Sequence, residues 1–308
     1  MKVGLVVPQF GINATKENLI RFIQLAEKED FESLWVYDRM FYPINPQQGY
    51  GSSDISQWPE YFKNVLDPLT TLAFIAANTT KVKLGTCIID MLFHNPITLA
   101  KEFTAIDILS EGRVICGFGI GWSKDEYIVA NIPYEKRGER ANEILLAMKK
   151  VWTDDIVEFN GEFYKIPKSI IGPKPIQKPH PKILLGGLSP KTFERMAEYG
   201  DGYIGVLIGS FEYFHKSIKM FNNSIEKSSR SRKDFDLTIL TYPYITNSIS
   251  EKNSYRSPMT GGTIDEIGSD LSMLENSGVD RVILAINAEK GYDVNQTIEF
   301  VKELRKFC

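Results

Sequence analysis

Cysteine and histidine are scarce in this chain, three of each among 308 residues. Cys87, Cys116 and Cys308 are an odd number without CxxC spacing, which excludes a disulfide framework or a zinc knuckle as the organising device. Cys87 and Cys116 stand in apolar, strand-like runs and read as small buried hydrophobes. His94 precedes a helix cap, His180 sits in a proline-rich strap and His215 lies inside a helix, so no Ser-His-Asp, Cys-His or metal-ligating arrangement can be read out. Charge excess is also missing: a net charge of −3 gives no reason to expect nucleic acid or an anionic membrane as partner. No apolar run reaches the roughly 18 residues that span a bilayer. Val3–Val7 is too short for a signal-peptide core before Pro8. With 43% hydrophobic and 24% charged residues, a cytoplasmic globular protein with ample core is expected.

Against these absences, one stretch is rich in information: Arg113–Glu126, RVICGFGIGWSKDE. It opens as Val114-Ile115-Cys116, the composition of a strand buried on both faces. Gly117, Gly119 and Gly121 then alternate with Phe118 and Ile120. Alternate residues share one face of a strand, so that face is bare at the strand's end. Something flat, or another segment of chain, has to lie against it. Trp122 follows as an aromatic wall, then Ser123 as a helix N-cap with Asp125 and Glu126 in the first turn.

In order along the chain, strands are expected at 2–7, 33–37, 81–89, 114–119, 182–185, 202–206, 237–244 and 281–286, each followed by a segment of helical periodicity. Asp67-Pro68, Asn95-Pro96 and Ser189-Pro190 repeat the cap-plus-proline start of a helix, and Thr263-x-x-Glu266 is a capping box. A small hairpin around Asn160-Gly161 precedes the strap IPKSIIGPKPIQKPHP. Eight strand-plus-helix units predict a single (β/α)8 barrel over residues 1–308, with insertions after strands 2, 4 and 7; two doubly wound domains are the alternative. The insertion at 40–66, with Tyr42, Tyr50, Trp58, Tyr61 and Phe62, reads as a functional loop or lid.

Reactive groups in such barrels gather where strands end. Those ends supply Gln9, Asp38, Thr86-Cys87, Gly119–Trp122, Gly186-Gly187, Val206–Ile208 and Asn287, with Asp38 the single acidic residue. Bare backbone, aromatic rings and helix N-termini suit a flat redox cofactor held by its ring and phosphate. Gly186-Gly187-Leu188-Ser189-Pro190 is the phosphate candidate, with a tight capped turn as the plain alternative. Arg137 and Arg140 read as a salt-bridged helix face outside the site.

The segments VGLVVPQ, ESLWVYDR, KVKLGTCI, HNPITLAKEFTAIDILSEGRV, GFGIGWSKDEY, RGERANEIL, PKILLGGLSPKTFERMAEYGDGYI and GVDRVIL, in this order, resemble the bacterial luciferase-like superfamily, barrel oxidoreductases that use FMN or the deazaflavin coenzyme F420. The resemblance spans nearly the whole chain and implies a cofactor ring across the strand ends. It implies a non-prolyl cis peptide in a bulge at the end of the third strand, expected here at Thr86–Cys87. It places Asp38 at the ring edge and Gly186-Gly187 near the phosphate, and Thr86, Cys87, Gly119, Gly121, Trp122, Leu188 and Val206 complete the expected cofactor contacts. Trp122 stands where sugar-phosphate dehydrogenases of the family carry a catalytic glutamate, so that activity is not expected; Asp38 and Trp122 are the catalytic candidates. The reading is an F420-dependent hydride transfer to or from a small organic substrate, without a metal. An FMN-dependent monooxygenase is the alternative, and a non-catalytic flavin-binding protein is the alternative of another class. Substrate, hydride direction and homo-oligomer formation stay open.

Overall fold

The computed structural model describes residues 1–50, 58–207, 211–244, 261–286 and 294–307. Its strands are β1 (Lys2–Val6), β2 (Ser33–Val36), β3 (Lys83–Thr86), the two-residue β4 (Ile89–Asp90), β5 (Val114–Gly119), β6 (Val157–Asn160), β7 (Lys165–Ser169), β8 (Lys182–Gly186), β9 (Gly202–Val206), β10 (Asp236–Thr241) and β11 (Arg281–Leu284). Eight of them pair in parallel in the order β3-β2-β1-β11-β10-β9-β8-β5, and a further β3–β5 pairing closes the ring. Around it run α1 (Lys16–Lys28), α2 (Pro68–Ala77), α3 (Pro96–Leu109), α4 (Lys124–Val129), α5 (Arg137–Thr153), α6 (Pro190–Tyr199), α7 (Phe211–Glu226), α8 (Ile264–Asn276) and α9 (Val294–Leu304). The expected (β/α)8 barrel is the fold.

Local chemistry explains where the helices start. Thr15, Asp67, Asn95, Ser123 and Thr263 each accept a hydrogen bond from a first-turn amide of the helix that follows. Such a cap satisfies one of the amides that a helix start leaves without a partner. Inside the barrel the indole of Trp35 fills one layer, anchored by Nε1 donating to Ser33 Oγ at 2.8 Å. Gly4 and Gly85 flank it because an added Cβ would sit 2.5 and 2.3 Å from the indole. At the N-terminal rim, Arg281 is 2% exposed and binds both carboxylate oxygens of Glu32 at 2.8 Å. Burial pushes Glu32 and Asp236 up, but Arg281 for Glu32, and Lys182 with Arg281 for Asp236, outweigh it and hold both below the usual carboxylate range.

Two features of the insertions depart from expectation. The hairpin does form, yet the Asn160-Gly161 pair does not make a two-residue turn. Gly161 N donates to Tyr164 O at 2.9 Å, and the half-buried Glu143 carboxylate accepts from the amides of Glu162, Phe163 and Tyr164. A carboxylate from α5 thus organises a longer turn that tertiary contact, not local sequence, creates. Arg137 and Arg140 make no ion pair among the described residues: Arg137 stacks on Tyr134 at 3.9 Å and Arg140 on Phe163 at 4.4 Å. The expected segments 51–57 and 245–260, Ile208, Asn287 and Cys308 lie outside the described residues.

Candidate active site

The site is assembled where β3 gives way to β4. Thr86 is held in the ladder opposite Val36, and its hydroxyl both accepts from Gly117 N and donates to Gly117 O at 2.8 Å. Cys87 N still donates to Val36 O at 2.8 Å. The strand can therefore leave its register only after Cys87, and the cis peptide is Cys87–Ile88, one bond later than the expected Thr86–Cys87. A Cβ on Gly117 would lie 1.9 Å from Thr86 O, and one on Gly119 would lie 1.8 Å from Ile88 Cδ1. The bare face of β5 is occupied by the end of β3, not left clear. Gly186 of β8 faces Ile88 as well: a Cβ added there would lie 3.3 Å from Ile88 Cγ2. Ile88, unremarked in the sequence, is the side chain on which the glycine ends of two strands converge. Gly121 adopts φ +72° against Phe93 and Tyr127.

Asp38 is not alone at the mouth. Its Oδ2 accepts from Asp90 N at 3.1 Å, and Asp90 also takes a backbone hydrogen bond from Gly121. Glu126, 1% exposed, forms an ion pair with Arg39 at 2.8 Å and accepts from Met40 N at 3.2 Å. Burial raises the carboxyls of Asp38 and Glu126. Burial first, and the Asp38 charge second, push Asp90 up to about 7. Three carboxyl groups face one guanidinium, so the cluster retains a proton near neutral pH. A charged residue in the otherwise apolar run IIDMLF was the available signal for Asp90.

Arg39 is the hub of the aromatic wall. Its guanidinium lies 4.9 Å from the Trp58 ring, 5.3 Å from Phe62 and 5.6 Å from Trp122. Trp122 packs on Trp58 at 5.1 Å and on Tyr50 at 5.9 Å. The described part of the insertion is strapped to the first turn of α4: Lys124 N donates to Gln48 Oε1, and Gln47 donates twice to Asp125. Tyr37 and Tyr242 stack at 6.4 Å beneath, in the apolar cluster that holds Phe10 and Cys87. Burial drives the Cys87 thiol and the Tyr242 hydroxyl upward, so both are neutral.

On the opposite rim, Gly187 has φ +137°, a conformation reserved for glycine, and its carbonyl accepts from Tyr203 OH at 2.9 Å. Ser189 starts α6 without any side-chain cap. Leu188 and Val206, at the ends of β8 and β9, are 51% and 38% exposed, and Ile88 and Ile120 are half-buried. Exposed apolar residues gathered at a barrel mouth are what a flat ligand covers. Among the described residues, no group of His, Cys, Asp and Glu is arranged to hold a metal, and no helix is long and apolar enough to cross a membrane.

A parallel barrel with its polar cluster, aromatic wall and glycine turns at the strand ends has the layout of a (β/α)8 enzyme. The chain belongs to the luciferase-like monooxygenase family, whose model matches residues 1–291. It is 34% identical over 183 residues to an uncharacterized protein of Mycobacterium tuberculosis, a match covering 59% of this chain and 64% of that one. It is 27% identical over 246 residues to an F420-dependent glucose-6-phosphate dehydrogenase of Amycolatopsis mediterranei, covering 78% of this chain and 68% of the relative. It is also 27% identical over 237 residues to the oxygenase component of a flavin-dependent trigonelline monooxygenase of Acinetobacter baylyi, covering 75% and 60%. The fold matches an F420-dependent secondary alcohol dehydrogenase with a TM-score of 0.80 at 17% identity, over 99% of this chain and 98% of the other. The family thus holds oxidoreductases and monooxygenases, F420-dependent and flavin-dependent members alike.

Proposed function

We propose that residues 1–308 form one luciferase-like domain that moves a hydride between coenzyme F420 and a small organic substrate. The observation that carries this reading is the wall at Trp122. The residue that follows the β5 glycines is an indole wedged between Trp58 and Tyr50, and the nearby cation, Arg39, is already paired with Glu126. Such a wall is apolar and dry, which favours close stacking of substrate on a ring. The wall itself carries no proton-managing side chain; the groups that can hold a proton, Asp38 and Asp90, stand at the edge of the strand ends and not on the wall.

The residues present fit the cofactor. Its ring would lie across the strand ends over Ile88, which itself covers Gly119, and over the backbone that follows Thr86 and Cys87, with Asp38 at its edge and Gly121, Trp122 and Val206 at its sides. Its phosphate would meet Gly186, Gly187, Leu188 and the start of α6, where the helix dipole favours an anion, although Pro190 has no N–H and Thr192 N already donates to Ser189 O. The bound deazaflavin supplies hydride chemistry with little reactivity toward oxygen. The chain's part is to exclude water with the aromatic wall and to keep a proton available on the Asp38–Asp90 pair.

Fluorescence titration with F420 and FMN, together with oxygen uptake in the presence of a flavin reductase, tests this reading. Tighter F420 binding and no coupled oxygen uptake are expected. Gly187→Val should weaken binding at least about tenfold, roughly 1.4 kcal/mol, because a branched side chain cannot adopt that backbone conformation and would meet Thr192. Micromolar FMN binding with oxygen uptake and no F420 binding would instead make the protein an FMN-dependent monooxygenase.

A further inference from the structure

Gln9 stands just beyond the end of β1 and is fully buried. A parallel ladder between β1 and β2 would continue past Val7 with Tyr37 N donating to Val7 O and Gln9 N donating to Tyr37 O. The chain does otherwise. Gln9 N turns back to Val7 O at 2.8 Å, and the side-chain carboxamide stands in for the absent peptide. Its Oε1 accepts from Tyr37 N at 2.6 Å, and its Nε2 donates to Tyr37 O at 2.9 Å. Tyr37 O belongs to the peptide that joins Tyr37 to Asp38, so the clamp acts on the backbone from which the Asp38 side chain leaves.

The same residue holds the far end of the insertion at 40–66. Nε2 gives its second N–H to Leu66 O at 2.9 Å, and Gln9 O accepts from Leu66 N at 2.9 Å. Beside it, Phe10 forms an antiparallel bridge with Val65, and Gly11 N donates to Asn64 O at 2.8 Å. The departure and the return of the insertion thus meet on one side chain. A carboxamide is what fits this place, since one acceptor and two donors match one N–H and two carbonyls. A carboxylate of the same shape would set an acceptor against both carbonyls. A hydrocarbon would leave three buried backbone groups unmatched.

We infer that Gln9 is a positioning residue for the cofactor site: its carboxamide fixes the angle at which Asp38 leaves β2 and ties that angle to the return of the insertion at Leu66. This role rests on the proposed function in one respect, the place of the Asp38 carboxyl at the edge of the bound ring. From the other side, Asp90 N holds Asp38 Oδ2 at 3.1 Å. With its backbone clamped by Gln9 and its carboxyl held by Asp90 N, Asp38 is oriented before the ring arrives. Such preorganisation removes an ordering cost from binding. Loss of the Gln9 carboxamide frees the Tyr37–Asp38 peptide and leaves in place the side chains that would meet the ring.

The test is a double-mutant cycle on cofactor affinity, read by fluorescence titration with F420 on the parent, Gln9→Met, Asp38→Asn and the double variant. Each single variant should bind about tenfold more weakly, and the double variant within about twofold of Asp38→Asn alone, because Gln9 acts through Asp38. Val3→Ala, a buried truncation at the start of β1, is the control: it lowers stability far from the strand ends, and its affinity should stay within about twofold of the parent. Gln9→Glu, which keeps the length and the acceptor for Tyr37 N, runs through the same cycle if Gln9→Met does not fold. Additive losses (about a hundredfold in the double variant), unchanged affinity in the Gln9 variant, or an equal loss in Val3→Ala overturns the inference and leaves the cofactor reading intact. Binding of FMN without F420 overturns the cofactor reading, and the same cycle run with FMN then decides the role of Gln9. A parent that binds neither overturns both.

Discussion

Replacing Arg39 by methionine separates the two jobs of this residue, counter-charge and aromatic filler. Methionine is of similar length and unbranched, and its sulfur packs on rings, so much of the contact with Trp58, Phe62 and Trp122 is retained. What is lost is the charge that faces Glu126, a carboxylate only 1% exposed. Breaking a buried pair by removing one partner costs about 3–5 kcal/mol, because the other charge is left unmatched. Glu126 is already raised by burial, so in the variant it escapes that cost by taking a proton. A carboxyl whose folded pKa is raised keeps its contribution below its unfolded value and loses it as pH rises through the folded value. The loss should therefore be about 3 kcal/mol at pH 8 and clearly smaller at pH 5. Urea unfolding followed by tryptophan fluorescence measures it, with an unchanged slope as the sign that the denatured state is not altered. The double variant R39M/E126M should recover most of the stability lost by R39M. A loss below about 1 kcal/mol at pH 8, or a double variant no more stable than R39M, would refute the view that this pair fastens the insertion to α4.

Gly117→Ala should destabilise the barrel by at least about 1–3 kcal/mol, because its Cβ would meet the backbone oxygen of Thr86 at 1.9 Å and no rotamer relieves that contact. A calorimetric Tm within a degree of the parent would show that β3 can retreat. Asp90→Asn should flatten the stability profile between the ordinary carboxylate range and neutrality. With Asp90 raised to about 7, the stability linked to its proton is present below the ordinary carboxylate range and falls as pH rises through neutrality. Glu32 and Asp236, both lowered, act in the opposite sense and weaken the fold only as pH falls through the acid range. Tm measured between roughly pH 4.5 and 8.5 should show the neutral-pH decline in the parent and not in Asp90→Asn; parallel profiles would remove Asp90 as the proton holder.

The architecture was legible because it depends on local chemistry. Buried-strand runs, helical periodicity and caps such as Asp67-Pro68, Asn95-Pro96 and Thr263-x-x-Glu266 act within a few residues of themselves, and each formed where the spacing placed it. The glycines of β5 were equally visible, and so was the need for something against their bare face. Which something lies there depends on a strand some thirty residues earlier in the chain: Thr86 plugs into the backbone of Gly117, and Ile88 fills the space beside Gly119. The charge state of the mouth has the same character. Asp38, Arg39, Asp90 and Glu126 come from three separate strand ends; Asp38 stands out by its place at one of them, but Asp90 and Glu126 do not show their role until burial brings the three carboxyls together around one guanidinium. Residue type and short-range spacing determine the barrel and where its strands end. Only the closure of that barrel decides which of those ends touch, because burial and charge coupling act across space and leave no period in the chain.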